Sequence, residues 1–160
     1  MLNITLLCVG KLKERYWREA CDEYEKRLGA FCKFRLIEVA EERAPDNPSS
    51  AQIAAVVEAE GVRLLSHIPK GSAVIALCIE GEVMDSPALA KYIAHAALDG
   101  TSHITLLIGG SWGLSESVKR RARLRFSMSP LTFPHQLARV MSMEQLYRSF
   151  QINKNTKYHK

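Results

Sequence analysis

A glycine-rich turn follows one of the most apolar runs of the sequence. Residues 104–108 lead into Gly109, Gly110 and Gly113, and Ser115 can cap a helix that begins behind the turn. Glycines in such a turn let the backbone approach a bound ligand closely. The spacing is GGxxG rather than the GxGxxG of dinucleotide sites, and no acidic residue for a ribose lies near Phe133. The turn therefore indicates either a cofactor contact or a tight strand-to-helix connection.

A second candidate segment joins the fifth predicted strand to the last predicted helix. Pro130 and Pro134 stiffen this segment, and Pro134 can serve as the first residue of the helix. His135 and Arg139 are four positions apart, so they share one face near the start of the helix. We expect this pair either to contact a substrate or to have a structural role, with Arg139 paired to a carboxylate.

The charged residues are unevenly distributed. Residues 119–160 hold ten Lys or Arg residues and a single acidic residue, Glu144. The final residues include Tyr158 and His159 among lysines, a composition suited to base stacking and phosphate contact. The basic quarter predicts a surface that meets a polyanion. The alternatives are a solvated basic face and a frayed terminus.

The composition excludes several classes of protein. The chain has 160 residues, of which 47% are hydrophobic, so we expect one globular domain over residues 1–160. No apolar run approaches the roughly 18 residues of a membrane span, and no signal peptide is recognisable, so we expect a cytoplasmic protein. The four cysteines have no CxxC spacing and the histidines no ligand spacing, so we expect buried, reduced thiols and no metal.

Alternating strands and helices must position these candidate residues. Strands are predicted at residues 2–9, 34–39, 73–79, 104–108 and 124–127. Helices are predicted at residues 16–28, at 49–66 behind a Ser49 and Gln52 capping box, at 87–98 behind Ser86, and from near Pro134. This order indicates an α/β protein with a mostly parallel sheet covered by helices on both faces. Ligands then bind at the carboxyl ends of the strands, after strands three, four and five.

The last predicted helix is apolar on several sides. Its apolar residues require more than one neighbour, so we expect either a homodimer contact or burial in the core of one chain. The residues concerned are Leu137, Val140, Met141, Met143, Leu146, Tyr147 and Phe150.

The sequence resembles the bacterial ribosomal RNA large subunit methyltransferase H family, a SPOUT-class family. The resemblance runs in order through nearly the whole chain. The segments that carry it are GKLK at 10–13, EYEKRL at 23–28, IGGS at 108–111, TFPHQLARV at 132–140, EQLYR at 144–148 and the terminal YHK. It implies a homodimer with a C-terminal trefoil knot that binds S-adenosylmethionine. It further implies methylation at N3 of a pseudouridine in 23S rRNA, with the assembled ribosome as substrate.

The resemblance also implies roles for individual residues. Tyr158 and His159 would reach the active site, where a dimer could bring the tail of one subunit to the cofactor of the other. His135 and Arg139 would flank the same pocket. The cofactor contacts would be Leu77, Gly109, Met128, Ser129, Pro130, Leu131, Thr132 and Phe133.

The chemistry so implied is an alignment of two reactants and the loss of the N3 proton. We expect a cation, Arg139 or Lys160, to stabilise the resulting anion, with His159 as a possible base. The chain departs from the family pattern at Asn155 and Lys157, where glycine and then proline or alanine are usual, and at the bulky Trp112. Because Asn tolerates positive φ, the turn before Tyr158 can be retained. Two alternatives stay open: a ribosome-binding factor without catalysis, and a nucleotide-dependent oxidoreductase.

Overall fold

Five parallel strands form one sheet, and five helices cover it. The computed structural model describes all 160 residues. The strands pair in the order β2-β1-β4-β3-β5, and every pair is parallel. The elements are β1 (Asn3–Val9), α1 (Arg15–Leu28), β2 (Lys33–Val39), α2 (Ser50–Ser66), β3 (Ala73–Val83), α3 (Ser86–Leu98), β4 (His103–Ile108), α4 (Glu116–Arg121), β5 (Leu124–Ser127) and α5 (His135–Asn153). The predicted α/β class with a parallel sheet is confirmed, and the trefoil knot stays a prediction.

The sheet is buried on both faces, which explains the nearly continuous apolar strands. In β1, Ile4 and Leu6 face a core shared with α1, α3 and α5, whereas Leu7 and Val9 face a second core under α2 and α4. A strand covered on both sides has no face left for polar residues. Thr5 and Thr105 are buried exceptions; their hydroxyls contact His103 Nε2 at 2.8 Å and Ser72 Oγ at 2.7 Å, respectively.

Strand β3 is longer than predicted and irregular. The predicted strand ended at Ile79, but the structure continues it to Val83. Both Leu77 and Glu82 are in register with Phe126 of β5, so residues 78–81 leave the ladder and bulge outward. At Gly81 the chain returns against β5, where a Cβ would lie 2.8 Å from the backbone of Arg125 and Phe126. Only glycine allows so close an approach of two backbones.

The helix caps confirm some predictions and correct others. The Ser49 and Gln52 capping box is present, and Ser115 accepts a hydrogen bond from the Val118 N–H. The N-cap of α3 is Asp85 rather than Ser86, because the Asp85 carboxylate accepts from the Ala88 N–H at 2.8 Å. Pro134 is the N-cap of α5 rather than its first helical residue.

Helix α5 lies between α1 and α3 and also contacts β4. Its fully buried residues include Met143 and Leu146, and none of its residues from His135 to Ile152 is classed as exposed. Beyond the helix, Asn155 adopts φ +53°, so the expectation of a positive φ at this residue is confirmed. None of the five helices has the length and hydropathy required to cross a membrane.

Candidate active site

A cleft of about 830 Å³ lies at the carboxyl ends of β3, β4 and β5. Three segments form its walls: the β3 bulge, the glycine turn after β4 and the segment after β5. The structure brings together seven of the eight residues predicted to contact a cofactor, and Pro130 is the exception. The seven are Leu77, Gly109, Met128, Ser129, Leu131, Thr132 and Phe133.

The glycine turn folds back on itself so tightly that a side chain at Gly109 is excluded. A Cβ at Gly109 would lie 2.6 Å from the carbonyl carbon and oxygen of Gly113. The Gly113 N–H donates to the Gly110 carbonyl at 3.1 Å, and Gly113 itself has φ +83°. The turn therefore presents bare backbone to the cleft, and Ser111 and Trp112 lie along the same wall.

The segment after β5 leaves several backbone donors free. The Ser127 hydroxyl donates to the Ser129 carbonyl, and the Ser129 hydroxyl accepts from the Leu131 N–H, both at 3.0 Å. The N–H groups of Met128, Thr132 and Phe133 make no hydrogen bond within the chain. Donors fixed in place next to an apolar cleft are the usual means of orienting a small ligand.

The sequence analysis missed the polar wall that the β3 bulge provides. Cys78, Ile79 and Glu80 line the cleft, as does Lys119 of α4. Lys119 forms an ion pair with Glu80, and its hydrogen bond holds the pKa of the Glu80 carboxyl below its usual value. Cys78 was expected to be buried but is half-buried at this wall. Glu80 comes directly after the predicted third strand, at the edge of the sheet where ligands bind. This position could have identified it as a residue of the cleft.

His135 lines the cleft from the first residue of α5. Burial and the neighbouring Arg139 cation lower the pKa of its imidazole, and Glu41 partly opposes them. The ring is therefore neutral at neutral pH. A neutral imidazole at this position avoids repulsion with a cationic ligand.

Arg139 lies behind the cleft rather than in it. It is 1% exposed, and its Nη1 donates to Glu38 Oε2 at 2.6 Å while its Nη2 donates to the Gly10 carbonyl at 3.1 Å. These contacts join the start of α5 to the ends of β1 and β2. Within the single chain Arg139 therefore has the structural role, paired with a carboxylate, that was one of its two predicted roles.

Tyr158 and His159 do not line this cleft either. The Tyr158 hydroxyl donates to Glu144 Oε1 at 3.1 Å, and Arg148 lies over the Tyr158 ring and within 3.2 Å of His159 Nδ1. The tail therefore packs on its own α5. Glu144 is nine residues beyond His135, which corresponds to roughly 13 Å along the helix axis.

Apolar side chains surround the mouth of the cleft. Ile79, Trp112 and Leu131 are 50%, 46% and 68% exposed, and all three line it. A second hollow of about 500 Å³ adjoins the cleft at Met128 and extends along α5 past Val140 and Met141. Exposed apolar area around a cleft is typical of a surface that contacts a partner or a large substrate.

The basic stretch predicted from the sequence has four free cations. Arg120 and Arg121 are the last two residues of α4. Arg123 lies just before the edge strand β5, and Arg125 lies within it. All four are exposed, and none is within ion-pair distance of a carboxylate. They thus form a basic edge at the end of α4 and the start of β5, where Arg121 Nη2 also donates to the Ser72 carbonyl at 3.4 Å.

Fold and cleft together define an α/β protein whose ligand site lies where loops from adjacent parallel strands meet. The sequence model of a family described as "Predicted SPOUT methyltransferase" matches residues 2–159. The chain belongs to this SPOUT methyltransferase family, in the same group as its relatives named ribosomal RNA large subunit methyltransferase H. It is therefore an enzyme, and the two alternatives, a binding factor without catalysis and an oxidoreductase, have no support.

The curated relatives match along the full length. A protein named "Ribosomal RNA large subunit methyltransferase H" from Bifidobacterium animalis subsp. lactis is 50% identical over 159 residues, covering 99% of this chain and 100% of that protein. Proteins of the same name from Oenococcus oeni and Clostridium novyi are 49% and 46% identical, each covered completely. A solved structure described as a probable methylase family protein from Haemophilus influenzae shares the fold, with a TM-score of 0.55, 13% identity, and coverage of 99% of this chain and 70% of that one.

Proposed function

We propose that this methyltransferase transfers a methyl group from S-adenosylmethionine to N3 of a pseudouridine in 23S rRNA, on the assembled ribosome in the cytoplasm. The observation that carries the proposal is the cleft, which gathers seven of the eight residues expected to contact the donor. The names of the full-length relatives support large-subunit rRNA as substrate.

The chemical groups in the cleft suit S-adenosylmethionine. The bare backbone of the Gly109 turn and the free N–H groups of Thr132 and Phe133 would hold the polar edges of the adenine. Leu77 and Met128 supply apolar contacts, and the Glu80 carboxylate can meet a positive or hydroxylated group. When bound, this donor supplies an electrophilic methyl on a sulfonium, and no metal is required. Neutral His135 lets a cationic donor enter.

The chain itself must align the acceptor and help N3 lose its proton. Alignment of two reactants in one site can supply roughly 7 to 11 kcal/mol of the barrier. Trp112 and the other apolar residues at the mouth offer surfaces on which an unstacked base can lie. The basic edge of Arg120, Arg121, Arg123 and Arg125 offers phosphate contacts outside the cleft.

The active form that we propose is a homodimer. In one chain, Tyr158 and His159 lie on α5 and away from the cleft that should contain the donor. The half-buried apolar residues along α5 and the exposed apolar mouth would be covered by a second copy, whose tail would carry Tyr158, His159 and Lys160 to the cleft. Arg139, fixed by Glu38, would position α5. Lys160 would stabilise the N3 anion, and His159 would accept the N3 proton.

Transfer of labelled methyl to ribosomes from cells that lack this gene tests the proposal, with mass mapping of the product nucleotide. We expect one methyl group at N3 of a single pseudouridine in 23S rRNA. Methyl on another nucleotide would overturn the proposed target. Absence of both donor binding and transfer would overturn S-adenosylmethionine as donor. Ribosomes that already carry the modification serve as the negative control.

A further inference from the structure

A buried carboxyl group lies behind the glycine turn, outside the cleft itself. Glu60 of α2 is only 4% exposed, and both of its carboxyl oxygens lie 3.2 Å from where a Cβ of Gly110 would be. Its Oε2 accepts from the Glu42 N–H at 3.1 Å, whereas its Oε1 is buried without a partner. Buried unpartnered oxygens are uncommon in folded proteins and mark positions under a special constraint.

The same part of α2 holds two loops at the carboxyl edge of the sheet. Arg63 pairs with Glu42 and donates to the Ala40 carbonyl at 3.0 Å, which fixes the loop after β2. Gly61 packs directly against Ser115, the N-cap of α4, and a Cβ there would collide with the Ser115 hydroxyl. Glu60 and Gly61 therefore contact the turn between Gly110 and Ser115 at both of its ends.

Several charged groups face the Glu60 carboxyl. Burial raises its pKa, and so do the nearby Glu41 and Glu42 carboxylates, whereas the Glu42 N–H and Arg63 lower it. Burial has the largest effect, which favours the neutral form. The Oε2 atom is held by the Glu42 N–H, and the Oε1 atom has no partner. Both oxygens lie so close to Gly110 that a side chain at this position would meet the Glu60 carboxyl group.

We propose that Glu60 is a positioning residue for the methyl-donor site, fixing the 109–113 turn against the loop after β2 from behind. This inference rests on the proposed function, since it takes the cleft as the donor site. Glu60 does not line the cleft, so its effect passes through Gly110 and the turn. Donor affinity, rather than the chemical step, is the quantity that it controls.

Two substitutions at Glu60 separate positioning from packing. Glu60→Leu keeps the buried volume but loses the bond to Glu42, and we expect its dissociation constant for S-adenosylmethionine to rise at least tenfold by calorimetry. We expect kcat at saturating donor to change less than threefold. Glu60→Gln keeps an acceptor for the Glu42 N–H, and we expect its affinity within threefold of the wild type. Glu25→Gln, an exposed residue of α1 whose side chain makes no hydrogen bond or ion pair, is the control.

A second line of evidence does not depend on the donor. In Glu60→Leu, hydrogen exchange at the Gly113 amide, which donates to the Gly110 carbonyl, should accelerate more than tenfold while exchange in β1 and β4 stays unchanged. Gly61→Ala, which displaces Ser115 from the other end, should raise the donor dissociation constant in the same way. Should Glu60→Leu fail to fold, Gly61→Ala and Glu60→Gln still carry the test.

The outcomes are distinguishable from failure of the proposed function. If the wild type binds no S-adenosylmethionine, the proposed donor is wrong. If the wild type binds it and both Glu60→Leu and Gly61→Ala bind it equally well, the positioning role is wrong. A loss in Glu60→Gln as large as that in Glu60→Leu would also overturn positioning through the hydrogen bond to Glu42.

Discussion

The Arg139 guanidinium donates to the Glu38 carboxylate at 2.6 Å across 101 positions of sequence. Arg139 is 1% exposed, and the side chain of Glu38 is 31% exposed. The pair ties the first turns of α5 to the end of β2, and a further bond from Arg139 to the Gly10 carbonyl includes β1. The orientation in which α5 leaves the cleft therefore depends on one buried cation.

Removing the carboxylate should destabilise the protein more than removing both charges. Glu38→Ala leaves the Arg139 charge buried and unpaired, which costs about 3–5 kcal/mol for pairs of this kind. The double variant Glu38→Ala with Arg139→Met should recover part of that loss, because no charge is left in the apolar site. Urea unfolding of the single and double variants measures the loss of unfolding free energy and the part of it that is recovered. A Glu38→Ala loss below about 1 kcal/mol, the range of surface pairs, would contradict this account.

Gly109→Ala should weaken donor binding at least tenfold without unfolding the sheet. The added Cβ would lie 2.6 Å from the Gly113 backbone, so the turn must open and lose the shape it presents to the cleft. We expect calorimetry to show a dissociation constant for S-adenosylmethionine that is raised at least tenfold. The far-UV circular dichroism spectrum should be unchanged. Gly29→Ala is the matched control, because its Cβ would make only ordinary contacts of 3.4 Å or more at the end of α1. Equal donor affinity in the two variants would refute the argument.

Replacing the four arginines of the basic edge should weaken rRNA binding in a salt-dependent manner. Arg120, Arg121, Arg123 and Arg125 have no carboxylate partners, so their charges are free for phosphates. Each lost phosphate contact should lower the slope of log K against log salt by about 0.7 to 0.9. Filter binding of 23S rRNA fragments over a salt series measures the slope. Donor affinity should stay unchanged, and an unchanged slope would place RNA binding on another surface.

The strands, the sheet class and the cleft could be predicted because they follow from local patterns. Apolar runs such as that of β4 and the capping box at Ser49 depend on residues within a few positions of one another. The bulge at residues 78–81 depends on pairing with β5, more than forty positions away, and Gly81 was its one local signal. The partner of Arg139 was unpredictable for the same reason, because Glu38 meets it only after the sheet has formed.

The stability of the protein should fall with acidity partly through His135. Burial and Arg139 lower the pKa of this ring below its ordinary 6.5, so just below that pH the unfolded chain binds a proton that the folded protein does not. Stability is therefore lost as pH falls from 6.5 towards the folded pKa. His135→Asn should lose less stability over this range in thermal melts. His95→Asn, an exposed residue of α3, is the control and should behave as the wild type.

Complementation between two inactive variants should restore activity if the tail acts on the partner's cleft. One variant carries Gly109→Ala and keeps its tail, and the other ends at Asn155 and keeps an intact donor cleft. At a donor concentration well below the dissociation constant of Gly109→Ala, each homodimer should be nearly inactive, because every site lacks either the donor or Tyr158 and His159. A mixed dimer has one site with an intact cleft and a tail from the other subunit. Half of the dimers in an equal mixture of isologous dimers are mixed, so about one quarter of wild-type activity should return.

Co-expression with two affinity tags isolates the mixed dimer, for which about half of wild-type activity is expected, since one of its two sites is complete. Methyl transfer to ribosomes is the measurement, and each variant alone gives the baseline. In the single chain, the Tyr158 hydroxyl is bound to Glu144, so the tail must leave this position to reach the cleft of the partner. Activity of the mixed dimer at the baseline would show that each tail serves its own subunit. If the tail leaves Glu144 and reaches the partner's cleft, methyl transfer should recover only in the mixed dimer.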